Sequence, residues 1–151
     1  MPEFRAGASP LFLRDEDLRQ GLDMLFFAWR DLAAEADPAL EKESLGRAHH
    51  RALYFIGRNP GLAVGELMAI LGITKQSLGR VLKDLAAKGL VSQAVGSADR
   101  RERRLALTEA GQALEQALTA PQRALIANAY RTAGGEAVAG FRTVLTGLRK
   151  R

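Results

Sequence analysis

The sequence predicts a mainly α-helical fold carrying one small β-hairpin, and three observations predict it. Apolar residues recur at helical spacing along most of the 151 residues. In the middle of the chain two short helical patterns are separated by a single glycine-containing break, Gly72-Ile73. Shortly after them, two short runs, Leu90 to Val95 and Arg103 to Leu107, flank a polar stretch crowded with arginine, which reads as a hairpin.

Residues 1 to 13 read as a flexible arm of Pro, Gly and Ser with a few apolar anchors. Asp15 and Glu16 open a first long helix, where Leu18, Leu22, Leu25, Phe26, Trp29 and Leu32 form an apolar stripe. That helix is expected to end near Asp37-Pro38, because the residue before proline resists helical geometry. A second helix is expected from about Ser44 to Arg58, with Ala48, Ala52, Phe55 and Ile56 facing inward, closed by the turn Asn59-Pro60-Gly61.

Leu67, Ile70 and Leu71 then mark a short helix that breaks at Gly72. Thr74 can accept from an unpaired backbone N–H in the first turn of the next helix. In that helix Leu78, Val81, Leu82 and Leu85 make one apolar stripe, while Gln76, Gly79, Arg80 and Lys83 lie on the opposite, polar face. Two short helices joined this way make a helix-turn-helix, whose second helix is the one that enters a DNA groove. Gly89 can take the left-handed cap conformation after Lys88. The hairpin that follows has its tip at Gly96-Ser97-Ala98-Asp99-Arg100-Arg101-Glu102, and Thr108 caps a further helix with Glu109 in its first turn. A basic hairpin directly after a helix-turn-helix is a winged helix. The helix from Thr108 runs through Leu114 and Leu118 to Pro121, which either kinks it or starts a new segment. Apolar residues resume at Leu125, Ile126 and Tyr130, Gly134-Gly135 makes a break, and a last helix carries Val138, Phe141, Val144, Leu145 and Leu148.

The run Asp99-Arg100-Arg101, then Leu105-Ala106-Leu107-Thr108 and Gly111, resembles the wing signature of the MarR (multiple antibiotic resistance regulator) family. Gly61-Leu62, Val64, Glu66-Leu67, Leu71-Gly72-Ile73-Thr74 and Lys88-Gly89-Leu90-Val91 resemble that family's helix-turn-helix. Two positions depart from the pattern: Met68 replaces a usual small Ala, and Gly96 replaces a frequent acidic residue before the wing, which implies a differently anchored wing base. The resemblance implies a winged helix-turn-helix lobe over residues 44 to 111, flanked by dimerisation helices at 14 to 37 and 108 to 150, all in one domain from 14 to 151. It also implies that Arg101 is the residue inserted into a minor groove, with Asp99 as its brace.

Composition agrees. Twenty-two basic against 17 acidic side chains leave a net charge of +5, which favours a polyanionic partner. Residues 74 to 88 hold Lys75, Arg80, Lys83 and Lys88 against Asp84 alone, and the wing adds Arg100, Arg101, Arg103 and Arg104 against Asp99 and Glu102. In a DNA complex Gln76 suits an adenine edge, Arg80 a guanine edge or a phosphate, and Gly79 a close backbone approach. Thr74, Lys75, Ser77 and Lys83 suit phosphates, which fix register without reading sequence. The plain structural alternative for Arg80 and Lys83 is a solvated helix face, and for Arg101 a salt bridge to Asp99.

The stripes on the first and last helices have little left to cover within a small core. A homodimer is therefore expected, held by Leu18, Leu22, Phe26, Trp29, Val138, Phe141, Leu145 and Leu148. Trp29, Phe26 and Phe141 are also placed to line a cavity for a small aromatic or anionic effector, as the resemblance implies.

Absence of cysteine excludes disulfides, thiolate zinc sites and thiol-based sensing. The start lacks the apolar core of a signal peptide and no apolar run reaches membrane-spanning length, so a cytoplasmic location without membrane association is expected. No metal or cofactor site is expected: adjacent His49 and His50 point to different faces with no Cys or acidic cluster nearby, and read as helix surface or pocket lining. No paired carboxylates, Ser/His/Asp set or phosphate-cradling Gly loop is evident, so no catalytic residue is assigned and an enzyme is not expected. The function expected is a sequence-specific regulator of transcription that binds a pseudo-palindromic duplex as a dimer. The alternative is a winged helix used for protein or RNA contacts.

Overall fold

The computed structural model describes residue 3 and residues 12 to 150. The expected flexible arm, 1 to 13, lies almost wholly outside the described residues. The chain divides into two compact units, Met1–Glu35 and Ala36–Arg151.

The first unit holds one helix, α1 (Asp15–Ala34), whose first turn carries Asp15, Glu16 and Asp17 beside the positive end of the helix dipole. Leu18, Leu22, Leu25, Phe26 and Trp29 are all exposed along it, Leu22 by 68% and Phe26 by 61%. The apolar stripe exists as expected, uncovered.

The second unit contains α2 (Asp37–Lys42), α3 (Arg47–Arg58), β1 (Leu62–Ala63), α4 (Val64–Leu71), α5 (Lys75–Ala87), β2 (Val91–Val95), β3 (Arg103–Leu107), α6 (Glu109–Ala133) and α7 (Gly135–Leu148). Asp37-Pro38 does not merely end a helix. It starts α2, because proline lacks only an N–H that the first helical turn leaves unbonded anyway. Ser44 at φ 54° turns the chain out of α2, so α3 begins at Arg47, later than expected.

The helix-turn-helix forms from local signals. Glu66 accepts from the Ala63 N–H at 2.9 Å and caps α4, and Gly72 ends that helix in the left-handed region at φ 62°. The Thr74 hydroxyl accepts from the Ser77 N–H at 3.1 Å, which starts α5 where expected. After α5, Gly89 at φ 69° reverses the chain, and the Leu90 N–H returns to the Leu85 carbonyl at 2.9 Å.

The sheet is three-stranded and antiparallel, in the order β1-β3-β2. The wing hairpin pairs Val91 with Leu107 and Val95 with Arg103. On the other side of β3 lies a strand not expected from the sequence, the two-residue β1, which pairs Leu62 with Leu105. A strand this short has no periodicity of its own.

Thr108 caps α6 by accepting from the Gly111 N–H at 3.0 Å. Pro121 neither kinks the chain into two segments nor ends the helix; α6 continues through it to Ala133. The carbonyl that loses its partner belongs to Ala117, on the exposed side of the helix, where water can take the place of the missing N–H. Gly134 then breaks the chain at φ 87°.

The core of this unit is one cluster. Leu53 and Ile56 of α3, Leu67 of α4, Leu78 and Leu85 of α5, Leu105 of β3 and Leu118 of α6 are each at most 1% exposed. Burial of each such side chain contributes about 1.5–3 kcal/mol, so this set ties the helix-turn-helix to the wing and to α6. On α7, Val138 and Leu145 are partly buried, whereas Phe141, Val144 and Leu148 are exposed by 46%, 62% and 58%. With Leu125, Ile126 and Tyr130 of α6 they leave a second uncovered apolar surface.

Candidate nucleic-acid interface

Burial of Leu78, Val81, Leu82 and Leu85 on the core fixes which way α5 faces. Thr74, Lys75, Gln76, Ser77, Gly79, Arg80 and Lys83 are consequently all exposed, as expected from the helical period. Thr74 and Ser77 are linked to each other: besides capping α5, the Thr74 hydroxyl donates to Ser77 Oγ at 2.9 Å. Their hydroxyls are thus held together at the N-terminus of α5.

The wing stands beside this helix. Lys75, Gly79 and Lys83 of α5 and Arg101 and Arg103 of the wing line one shallow cleft of about 450 Å³, with Gln93 of β2 in it. Among the described residues, no carboxylate lies within 4 Å of the cationic groups of Lys75, Arg80, Lys83, Arg100, Arg101 or Arg103, so their charge is not neutralised by the protein. The concave surface between helix and wing is therefore strongly positive. Within it the acidic group is Glu102, and that carboxylate is already paired with Arg104.

Asp99 engages Arg101 through the backbone: its Oδ1 accepts from the Arg101 N–H at 2.9 Å, which braces the tip and leaves the side chain free to extend. One wing expectation is corrected. Arg104 is not part of the outward charge. It donates to the Gly61 carbonyl at 3.1 Å and to Glu102 at 2.8 Å, with Glu66 4.0 Å away, and so clamps the wing base to the start of α4. The unusual Gly96 also has a physical reason. Its N–H donates to the Glu102 carbonyl at 2.9 Å to close the hairpin, and a Cβ there would lie 2.8 Å from the Asp99 carbonyl oxygen. Arg103 donates to the Arg100 carbonyl at 3.1 Å, which stiffens the tip further.

His49 and His50 are not plain surface residues. His49 bonds Asp84 of α5 at 2.9 Å. His50 is buried, with Nε2 3.2 Å from the Thr119 hydroxyl, which in turn donates to Glu115 at 3.0 Å. Burial pushes the His50 imidazole below its ordinary value, and the Glu115 carboxylate opposes that shift. Neither partner was legible in sequence, because Asp84 and Thr119 lie 35 and 69 residues away. Within the second unit a wider cleft of about 710 Å³ lies between α3, β3 and α6, lined by Tyr54, Arg58, Gln112, Glu115, Thr119 and Arg123. Phe141, expected to line such a cavity, is not among its walls. Among the described residues no group of three or more His, Asp or Glu side chains is placed to hold a metal ion, and no helix is long and apolar enough to cross a membrane.

Comparison with known proteins agrees with this architecture. The sequence pattern of the MarR family matches residues 44–102. The chain is 52% identical over 142 residues to the HTH-type transcriptional regulator PetP of Rhodobacter capsulatus, a match that covers 94% of this chain and 86% of PetP. Among solved structures, FabT of Streptococcus pneumoniae in complex with DNA superposes with a TM-score of 0.72 at 18% identity, covering 87% of this chain and 94% of FabT. NadR in complex with 4-hydroxyphenylacetate superposes with a TM-score of 0.73 at 23% identity, covering 98% and 97% of the two chains. At these identities the structural likeness speaks for the winged-helix fold alone. The PetP match, across nearly the whole of both chains, carries further: the chain belongs to the MarR family of helix-turn-helix transcriptional regulators, whose role is not enzymatic.

Proposed function

We propose that this protein binds double-stranded DNA in a sequence-specific manner as a homodimer, with α5 in the major groove and the wing along the adjacent minor groove. The observation that carries this reading is the cleft in which unneutralised Lys75, Lys83, Arg101 and Arg103 face one space beside exposed Gln76 and Arg80. Gln76 and Arg80 read base edges, Gly79 lets the backbone approach, and Thr74, Lys75, Ser77 and Lys83 meet phosphates. Arg101, with Asp99 holding its backbone, enters the minor groove, where a narrow A·T-rich stretch concentrates negative potential. Arg100 and Arg103 contact flanking phosphates.

In this proposal residues 44 to 111 are the DNA-binding lobe and residues 14 to 37 and 108 to 150 the dimerisation helices of a single domain. The exposed stripe of Leu18, Leu22, Phe26 and Trp29, and the α7 surface of Phe141 and Leu148 with its supporting Val138 and Leu145, supply the contact. Apolar surfaces of this extent are unusual on a monomer, and a two-fold dimer reads two half-sites about one helical turn apart. A small aromatic or anionic effector would occupy the cleft between α3 and α6, where Arg58 and Arg123 offer positive charge to an anion. The bound 4-hydroxyphenylacetate of NadR, an aromatic carboxylate, is a ligand of that chemistry.

Selection of bound fragments from random duplex DNA, repeated across salt and with Arg80→Ala and Arg101→Ala, tests the reading. Enrichment of a pseudo-palindrome that either variant loses supports it. Salt-sensitive binding without any enriched motif would reduce the basic face to phosphate contact and favour a protein- or RNA-binding role. A sedimentation mass of one chain at micromolar concentration would remove the dimer.

A further inference from the structure

The DNA-facing side of α5 has a counterpart behind it. The His49 side chain, 16% exposed, has both ring nitrogens engaged. Nδ1 lies 3.0 Å from the Gly46 backbone nitrogen and Nε2 lies 2.9 Å from Asp84 Oδ2. A backbone N–H can only donate, so Nδ1 presents its lone pair to Gly46. The ring proton is then on Nε2 and is donated to the Asp84 carboxylate. Geometry alone selects this neutral tautomer.

Asp84 is the acidic residue of α5, next to Lys83 and one turn beyond Arg80. The remaining attachment of α5 to α3 is apolar, through core side chains such as Leu53, Leu78 and Leu85. Burial of the Leu78, Val81, Leu82 and Leu85 stripe fixes which face of α5 turns to the core, but apolar contact is non-directional and tolerates small rotations about the helix axis. A hydrogen bond weakens steeply as its angle closes, and so narrows that remaining rotation. Among the described residues, no other side-chain hydrogen bond or ion pair joins α3 to α5. The other end of the His49 ring is anchored to the first turn of α3 through Gly46, so the ring is a short strut between a backbone and a carboxylate.

We propose that His49 is a positioning residue for DNA reading: its bond to Asp84 sets the fine rotation of α5 within the face that apolar burial turns outward, and with it the aim of Gln76 and Arg80. This rests on the reading of α5 as the groove-binding helix. Bidentate contacts with base edges depend on distance and angle, so a small rotation costs affinity for the preferred sequence while phosphate contacts persist.

Two isosteres separate the two ends of the strut. In His49→Asn the side-chain oxygen can still accept from Gly46, but the chain is too short for Asp84. In His49→Gln the terminal amide can reach and donate to Asp84, while the Gly46 bond is lost. Both variants of the full chain are compared with wild type in amide hydrogen exchange across α5 without DNA, in thermal unfolding, and in affinity for the duplex that wild type enriches from random fragments. The expected result is faster exchange in α5 and about tenfold weaker binding for His49→Asn, with His49→Gln within about twofold of wild type on both counts. Asp84→Asn, whose amide oxygen still accepts from Nε2, should also keep wild-type exchange. Wild-type exchange in His49→Asn would overturn the proposal, as would equal losses in the Asn and Gln variants, which would mark a general folding effect. If wild type enriches no duplex at all, the DNA reading fails, and exchange in α5 still decides whether His49 fixes the helix.

Discussion

Gly79→Ala should make the protein more stable and a poorer DNA binder, and the opposite signs make it informative. Gly79 lies in the interior of α5 with nothing within 4 Å of the place a Cβ would take, so the methyl group meets open space. Alanine is favoured over glycine in a helix interior by about 1 kcal/mol, chiefly through the entropy of the unfolded chain. At fixed protein concentration that raises the midpoint of thermal unfolding by about 2–4 °C. The same open space is where DNA would approach between Lys75 and Lys83. A methyl group forced into a close-packed contact costs about 1–3 kcal/mol, which weakens binding about 5- to 150-fold. Calorimetry and fluorescence anisotropy with the selected duplex measure the two effects in one variant. A more stable protein with unchanged affinity would refute the close approach of DNA at Gly79. A loss of both would show that α5 had been distorted, and the argument from open space would be wrong.

Other outcomes follow from the same geometry. Gly111→Ala should destabilise the chain by about 2 kcal/mol or more in chemical unfolding, because its Cβ would fall well inside contact distance of the Leu90 backbone carbonyl, which cannot swing away as a side chain can. Arg101→Ala should lower the slope of log affinity against log salt by about two, since it removes one free cation from each protomer of the dimer, whereas Arg104→Met should leave the slope unchanged and loosen hydrogen exchange in β2 and β3. Stability should fall as pH drops below about 6.5, because the unfolded chain takes up a proton that buried His50 in the folded state resists. The loss starts at the unfolded value and levels off only below the depressed folded one. Urea unfolding across pH should show that slope, and His50→Gln should flatten it.

The parts of this protein written locally were legible in its sequence. Thr74 and Thr108 cap helices by bonds to amides three residues away, and Gly72 and Gly89 end helices through their own backbone freedom. The exposed face of α5 follows from a period of 3.6 and one apolar stripe, so Gln76, Arg80 and Lys83 could be assigned without a structure. Tertiary structure decided whatever depended on a distant partner. β1 exists because Leu62 finds Leu105 on the free edge of β3, and Pro121 stays helical because the Ala117 side of α6 is open to water. Arg101 and Arg104 belong to the same arginine-rich hairpin, yet one extends into the cleft and the other is spent on Gly61 and Glu102. His49 finds Asp84 across 35 residues. Caps, turns and stripes are set by bonds within about four residues and can be read from spacing. The aim of a charged side chain, and the partner that claims it, are set by bonds that exist only once the chain has closed on itself.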